Sequence, residues 1–82
     1  MNLNVETIND VSVVTIPISF LNASNHEDFM TAITPVLELG AAVLLDLSQL
    51  ESIDSSGLGV FAFCLRIMQK TSGVLKLCSP TA

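Results

Sequence analysis

Two short segments near the N-terminus have the residue pattern of β-strands, and a polar pair separates them. Residues 3–8 alternate between apolar and polar side chains, and residues 11–16 are rich in valine and threonine. Asn9 and Asp10 lie between them and tolerate positive φ, as a tight hairpin turn requires. We predict a β-hairpin that ends at Pro17, because proline has no N–H to donate to a strand ladder.

The next periodic segment predicts an amphipathic helix. After a polar loop over residues 19–25, Ser24 is followed three residues later by Glu27, which fits a capping box at a helix start. Pro35 falls inside the helical pattern and removes one backbone hydrogen bond, so we expect a kink there. We expect Gly40 to end the helix, because glycine favours the backbone conformation of a helix C-terminus. The helix carries one apolar stripe, formed by Phe29, Ala32, Ile33, Val36 and Leu37.

The second half of the chain contains the most apolar strand. Residues 41–47 lack polar alternation in their centre, which indicates a central strand covered on both faces. Residues 48–53 form a connector, a long helix extends to about Lys70, and residues 74–78 form a last strand that Pro80 stops. The order β-β-α-β-α-β predicts a single α/β domain over residues 1–82, with a mixed four-stranded sheet and helices packed on it.

The second helix carries two apolar stripes, which indicates burial on more than one side. One stripe can face the sheet, whereas the other needs a cover, and the pattern predicts no third helix to provide it. A partner or a second copy of the chain is therefore expected on that side. The first stripe is Leu58, Phe61, Ala62, Leu65 and Met68, and the second is Val60, Phe63, Cys64 and Ile67.

The charge balance excludes several classes of function. Eight acidic and three basic residues give a net charge of −5, and three scattered cations cannot neutralise a nucleic-acid backbone. The same deficit argues against an anionic membrane surface. The N-terminus lacks a secretory pattern, and the longest apolar run, residues 60–65, is far shorter than the roughly 20 residues of a membrane span. We expect a cytoplasmic protein that contacts neither nucleic acid nor membrane directly.

Residue types that commonly carry catalysis or bind metals are sparse. Cys64 and Cys78 have no histidine nearby, so we interpret them as reduced, buried thiols and predict neither a metal site nor a cofactor. His26 is the single histidine, and its place at a polar helix start is typical of a solvated surface residue. Nothing in the sequence brings it to a serine, so we predict no catalytic residue.

The candidate chemistry is concentrated in the segment Asp54-Ser55-Ser56-Gly57-Leu58-Gly59. Asp54 or Ser55 can cap the following helix by accepting its first N–H groups. Two glycines in a helix cost about 0.5–1 kcal/mol each relative to alanine, which favours a functional reason for them. A bare first turn lets another backbone or a phosphate approach, and the positive helix end suits a phosphoserine. Capping alone is the simpler interpretation of these residues taken by themselves.

This segment and the strand before it resemble the signature of the STAS domain, especially that of the bacterial anti-sigma factor antagonists. The resemblance rests on Leu44-Leu45-Asp46-Leu47-Ser48 and, after a short gap, on residues 53–59, and the element order agrees along essentially the whole chain. It implies that the chain binds an anti-sigma factor that is also a serine kinase. It also implies phosphorylation at Ser55, with Ser56 as the alternative, and resetting by a serine phosphatase, so that the chain is a substrate and not an enzyme. The motif and partner-binding residues implied are Asp46, Asp54, Ser56, Gly57, Leu58 and Gly59.

Two features depart from that family pattern. Members carry an aspartate in the loop after the second strand, where this chain has Asn22, a further partner-binding candidate that lacks the charge. Members also continue beyond the last strand with a helix, a strand and a terminal helix. A cut chain, a natural short form and self-association through the uncovered face of the second helix are all compatible with the shorter sequence.

Other functions remain open at this point. STAS domains also occur as regulatory or structural subunits of membrane transporters for anions or lipids, where phosphorylation is not required. A plain structural oligomer is a third possibility. The serine pair favours the sigma-factor role.

Overall fold

The computed structural model describes residues 1–39 and 41–78 of the chain. The order of its elements agrees with the predicted β-β-α-β-α-β and adds two very short strands, β3 and β5. The elements are β1 (Asn4–Ile8), β2 (Val11–Thr15), β3 (Phe20–Leu21), α1 (His26–Leu39), β4 (Ala42–Asp46), β5 (Ser52–Ile53), α2 (Ser55–Lys70) and β6 (Val74–Cys78).

The main sheet has four strands in the order β1-β2-β4-β6. β1 runs antiparallel to β2, whereas β2, β4 and β6 run parallel to one another, so the sheet is mixed as predicted. β3 and β5 form a separate parallel pair. The sequence pattern does not predict this pair, because two-residue strands are too short to show alternation.

The N-terminal hairpin is confirmed. Ile8 pairs with Val11, and the two residues between them have positive φ, 51° at Asn9 and 68° at Asp10. Asparagine and aspartate accept this left-handed conformation at less cost than most residues do, so the turn joins β1 and β2 without an insertion.

Helix α1 is continuous from His26 to Leu39 with Pro35 inside it, so the proline does not end the helix, and the predicted kink stays a prediction. Phe29, Ile33 and Leu37 are fully buried along one side, which confirms the predicted stripe. Near the proline, the Thr34 hydroxyl donates to the Met30 carbonyl at 2.6 Å. This is an ordinary bond from a helical threonine to the carbonyl four residues earlier, and it does not replace the donor that Pro35 withholds from the carbonyl of Thr31.

The predicted capping box is wrong. The helix begins at His26, and the carbonyl of Asn25 accepts the N–H of Phe29 at 3.1 Å, so Asn25 is the residue that precedes the first turn. Ser24 lies one residue too early to cap, and its hydroxyl donates to Oδ1 of Asn22 at 2.6 Å. A polar loop with several possible caps makes the start ambiguous from sequence.

The core lies between one face of the main sheet and the two helices. Val43 and Leu45 of β4 are buried in it, together with Val14 of β2. Leu44 points to the opposite face and is only half-buried, so the prediction that β4 is covered on both faces is wrong among the residues described. The reason is that α1 and α2 both pack on the same face, which the apolar pattern of a single strand cannot reveal.

The burial of α2 follows the second predicted stripe more than the first. Val60 and Cys64 are fully buried, whereas Leu58 and Leu65 of the first stripe are 60% and 48% exposed. Met68 was assigned to the first stripe but is buried, because residues four apart on a helix share a face and it continues the row from Cys64. The uncovered stripe is therefore the one that contains Leu58 and Leu65.

Two predicted terminators, Gly40 and Pro80, lie outside the described residues. The elements that they follow extend to Leu39 and Cys78. In the part of the chain that the structure covers, no helix is long and apolar enough to cross a membrane.

Candidate functional site

The β3–β5 pair positions the candidate site. Leu21 pairs with Ile53 in parallel register, and the carbonyl of Ser19 accepts the N–H groups of Glu51 and Ser52 at 2.6 and 3.1 Å. Because the carboxyl ends of two parallel strands meet at one edge, the segments that follow β3 and β5 become neighbours there. These segments are the loop before α1 and the N-terminus of α2.

Asp54 is the N-cap of α2. Its backbone is extended, its carboxylate Oδ1 accepts the N–H of Gly57 at 3.1 Å, and its carbonyl accepts the N–H of Leu58 at 3.0 Å. Its own N–H donates to the carbonyl of Leu21 at 3.2 Å. The alternative between Asp54 and Ser55 as cap is thereby resolved, and the start of α2 is fixed to the end of β3.

Ser55 is the first residue of α2 and is exposed, whereas Ser56 is half-buried. The N–H groups of both serines lie at the positively polarised end of α2, because they belong to its first two residues. The carboxylate of Asp54 accepts the N–H of Gly57, the third residue. No acidic side chain lies in the first turn of α2 itself. Of the two hydroxyl groups, that of Ser55 is the more accessible to another protein.

The two glycines of the motif differ in role. Gly57 is buried, and a Cβ added there would lie 2.4 Å from Cγ1 of Ile53 and 2.7 Å from the carbonyl oxygen of Leu21. The prediction that Gly57 gives access to another molecule is therefore wrong, because the close approach is to the β3–β5 pair of the same chain. Gly59 is exposed and has open space where a Cβ would be.

Asn22 follows Leu21 directly, so it lies at the same edge as Asp54. Its Oδ1 accepts the backbone N–H of Ser24 at 2.9 Å, and its N–H donates to Oδ1 of Asn25 at 2.9 Å. The amide side chain thus holds the loop before α1 in a compact turn. These two hydrogen bonds give the neutral Asn22 a structural role in the loop. The contribution of Asn22 to partner binding stays a prediction.

Asp46 ends β4 and is half-buried. Its Oδ1 accepts the N–H of Ser48 at 2.9 Å, and its carbonyl accepts the N–H of Ile16 at 3.2 Å. The carboxylate therefore shapes the first turn of the connector that leads to β5. A direct role in partner binding remains a prediction for this residue.

Phe20 is an exposed apolar residue that the sequence pattern does not assign to the site, and it directly precedes Leu21, whose carbonyl accepts the N–H of Asp54. Phe20 of β3 is 50% exposed, and Leu58 lies one helical turn after Ser55. A lone phenylalanine in a polar loop gives no periodic signal, so the sequence pattern offered no means of finding it. We call Phe20, Asn22, Ser55, Leu58 and Gly59 the docking face.

The remaining reactive groups lie outside this face. Cys64 is buried in the core, and burial raises the pKa of its thiol to about 11, which agrees with the predicted inert, structural thiol. Cys78 is also a free cysteine, although it is only half-buried. His26 is half-buried rather than fully solvated, with Nδ1 3.1 Å from the carbonyl oxygen of Ala23. No cluster of three potential metal ligands occurs among residues 1–39 and 41–78.

The fold and this site define a small mixed-sheet α/β module whose second helix begins with an exposed serine. The family model of the STAS domain matches residues 2–82. The chain belongs to the STAS domain family. A comparison with curated proteins gives no match.

Solved structures agree with this assignment. A Thermotoga maritima protein assigned as an anti-sigma factor antagonist is 31% identical with a TM-score of 0.82, and the match covers 96% of this chain and 68% of that one. The unphosphorylated anti-sigma factor antagonist SpoIIAA is 20% identical with a TM-score of 0.71, over 99% of this chain and 76% of its own. The phosphorylated Bacillus form is 22% identical with a TM-score of 0.68, over 98% and 76%.

The same fold also occurs within a much larger protein. The murine solute carrier 26 family member A9 anion transporter matches with a TM-score of 0.73 and 21% identity. The match covers 88% of this chain but 12% of the transporter. The fold by itself therefore does not separate a sigma-factor regulator from a transporter subunit.

Proposed function

We propose that the chain is an anti-sigma factor antagonist, which binds an anti-sigma factor with serine kinase activity and releases it when Ser55 is phosphorylated. The observation that carries the proposal is the position of Ser55, exposed at the first residue of α2 and directly after the N-cap Asp54. The 31% identical Thermotoga relative supports the antagonist class. On this proposal the chain works in the cytoplasm and is the substrate of a kinase and a phosphatase.

The docking face has the composition of a small protein interface. Phe20 and Leu58 are 50% and 60% exposed, and Leu58 lies three residues after Ser55 in α2. Exposed aromatic and aliphatic side chains supply most of the affinity at such interfaces when they enter a partner's pocket. We expect the anti-sigma factor to cover this apolar surface and to bring its own active site to Ser55.

Phosphorylation adds about −1.5 to −2 charges at neutral pH. In the free protein, the positive end of α2 favours that charge by about 0.3–1 kcal/mol, and Asp54 opposes it by about 0.7 kcal/mol per unit charge in water at about 6 Å. These opposing effects are similar in size, so the fold tolerates the phosphate. In the complex, exclusion of water strengthens both effects, so the factor that favours dissociation is the cost of desolvating the charged phosphate in an interface that fits the neutral hydroxyl.

The first experiment maps the phosphorylated residue. The purified chain is incubated with ATP and each anti-sigma factor kinase encoded in the source genome, and intact-mass and fragment spectra locate the phosphate. We expect one phosphoryl group on the wild type and on Ser56→Ala, and none on Ser55→Ala. Phosphate on Ser56 in the wild type, or phosphorylation unchanged by Ser55→Ala, would contradict the assignment.

The second experiment identifies the kind of partner. Wild type, Ser55→Asp and the neutral, similarly shaped Ser55→Asn are used as baits, after circular dichroism has shown that the variants fold. We expect an anti-sigma factor kinase with the wild type and with Ser55→Asn, but not with Ser55→Asp. Recovery of an anion or lipid transporter from the membrane fraction with all three baits equally would instead establish a transporter subunit.

A further inference from the structure

The main sheet has a second face, which points away from both helices. We call it the outer face. Val13 and Leu44 lie at its centre and are half-buried, and neither belongs to the core cluster or to the residues packed against it. A shallow depression of about 370 Å³ is lined there by Val11, Ala42, Leu44 and Val74, among others. No helix covers this face within residues 1–39 and 41–78.

The strand register places opposite charges at the two edges of the outer face. Glu6 pairs with Val13, Val13 with Leu44, and Leu44 with Lys76, so these four residues form one row across the sheet. Glu6 and Lys76 are exposed, and the single ion pair recorded among the described residues involves neither of them. The row therefore reads acidic, apolar, apolar, basic from β1 to β6.

The neighbouring rows differ in polarity. On one side, Ile8 pairs with Val11 and Ala42 pairs with Val74, so that row is apolar throughout. On the other side the row is polar and consists of Asn4, Thr15, Asp46 and Cys78. The outer face is thus an apolar patch with one acidic edge, one basic edge and one polar end.

We propose that the outer face binds the outer face of a second copy of this chain, in a symmetric dimer. A two-fold axis that runs parallel to the strands, midway between the two sheets, exchanges the β1 edge with the β6 edge. It places Glu6 opposite Lys76 of the second copy, and Val13 opposite Leu44. Because the interface is isologous, the ion pair forms twice.

The same rotation creates no conflict in the polar row. It places Asp46 opposite Thr15 of the second copy, so no like charges face each other in the three rows. Face-to-face sheets lie about 10 Å apart, and their strands cross at about 30°, which keeps the rows in contact near the axis. The long side chains of glutamate and lysine can bridge that gap at the edges.

The size of the face predicts a weak dimer. Four strands about 4.8 Å apart and five residues at about 3.3 Å each give a footprint of about 19 by 17 Å. This footprint of about 320 Å² per copy is less than half of the roughly 800 Å² per partner in a standard interface, so only weak, transient association is expected from it. We expect reversible association that is visible between about 10 μM and about 1 mM. The proposal does not depend on the phosphorylation of Ser55 or on the uncovered stripe of α2.

The test exchanges the charges of the row and measures mass by sedimentation equilibrium at low salt. Glu6→Lys and Lys76→Glu each place like charges opposite each other twice, and we expect each to weaken the dimer about tenfold or more. The double variant Glu6→Lys/Lys76→Glu restores both pairs and the net charge, so we expect an affinity within about threefold of the wild type. Glu38→Lys, at an exposed position of α1, is the control with the same change in net charge as Glu6→Lys.

Thermal unfolding followed by circular dichroism shows that each variant is folded at the measurement temperature. A wild type that stays monomeric up to about 1 mM would overturn the proposal. So would single variants that dimerise like Glu38→Lys, or a double variant that fails to recover. A dimer that Leu65→Glu abolishes but Glu6→Lys leaves intact would place the interface on α2 and would equally overturn it.

Discussion

Replacing Gly57 by alanine tests whether the N-terminus of α2 is packed against the β3–β5 pair. The added Cβ would lie 2.4 Å from Cγ1 of Ile53 and 2.7 Å from the carbonyl oxygen of Leu21. Neither neighbour can move easily, because the carbonyl accepts the N–H of Asp54 and Cγ1 is not the free end of its side chain. Overpacking costs about 1–3 kcal/mol, and two contacts below 3.0 Å, one of them with backbone, place this substitution in the upper part of that range; the higher helix propensity of alanine offsets about 1 kcal/mol.

We therefore expect Gly57→Ala to lower the free energy of unfolding by about 1–2 kcal/mol, or Tm by roughly 4–15 °C in a domain of this size. Gly59→Ala is the matched control. It changes the same residue type two positions later in the same helix, where nothing lies within 4 Å of the added Cβ. There the propensity gain of about 0.5–1 kcal/mol remains, so we expect stabilisation.

Urea unfolding followed by circular dichroism measures both free energies in one series. The informative quantity is the opposite sign of the two changes. If Gly57→Ala is as stable as the wild type, or more stable, then α2 does not approach the β3–β5 pair as closely as described. The explanation of Gly57 as a packing residue would then be wrong.

Three further predictions concern single residues. Pro35→Ala restores a helix donor, and we expect urea unfolding to show a gain of about 2 kcal/mol after allowance for the more flexible unfolded chain; no gain would show that the helix had already adapted. Asp54→Ala removes the N-cap and should lower the unfolding free energy by about 1 kcal/mol, whereas Asp54→Asn, which can still cap, should stay within about 0.5 kcal/mol; equal losses would point to charge instead of capping. Burial raises the pKa of the Cys64 thiol from 9.0 to about 11, so its contribution to stability is complete below pH 9 and is lost as the pH rises towards 11. Cys64→Ala should show a smaller fall in stability over that interval, and an equal fall would assign it to other groups.

Much of the fold could be predicted because strong local signals coincide with it. The Asn9-Asp10 turn, the apolar stripe of α1 and the apolar centre of β4 each require one kind of local structure. The sequence could not show which face of the main sheet the two helices cover. Val43, Leu44 and Leu45 are alike in polarity, yet both helices pack on one face of the sheet. Val43 and Leu45 are therefore buried, whereas Leu44 is half-buried.

The place of the serine motif at the start of α2 could be predicted from the sequence, but the β3–β5 pair that positions it could not. The motif located Ser55 and left Asp54 as one of two possible caps, because capping preferences are local and strong. The β3–β5 pair was not visible, since each strand is two residues long and its pairing joins distant parts of the chain. For this reason Gly57 was interpreted as an opening for another molecule, although Ile53 and Leu21 of the same chain lie against it.

The central claim is that a phosphate on Ser55 controls the affinity of the docking face for an anti-sigma factor. The most direct test is calorimetric titration of that partner with the unphosphorylated chain and with the chain phosphorylated only at Ser55. We predict a loss of affinity of about a hundredfold, which corresponds to about 2.7 kcal/mol. Equal affinities for the two forms, with both folded by circular dichroism, would contradict the claim.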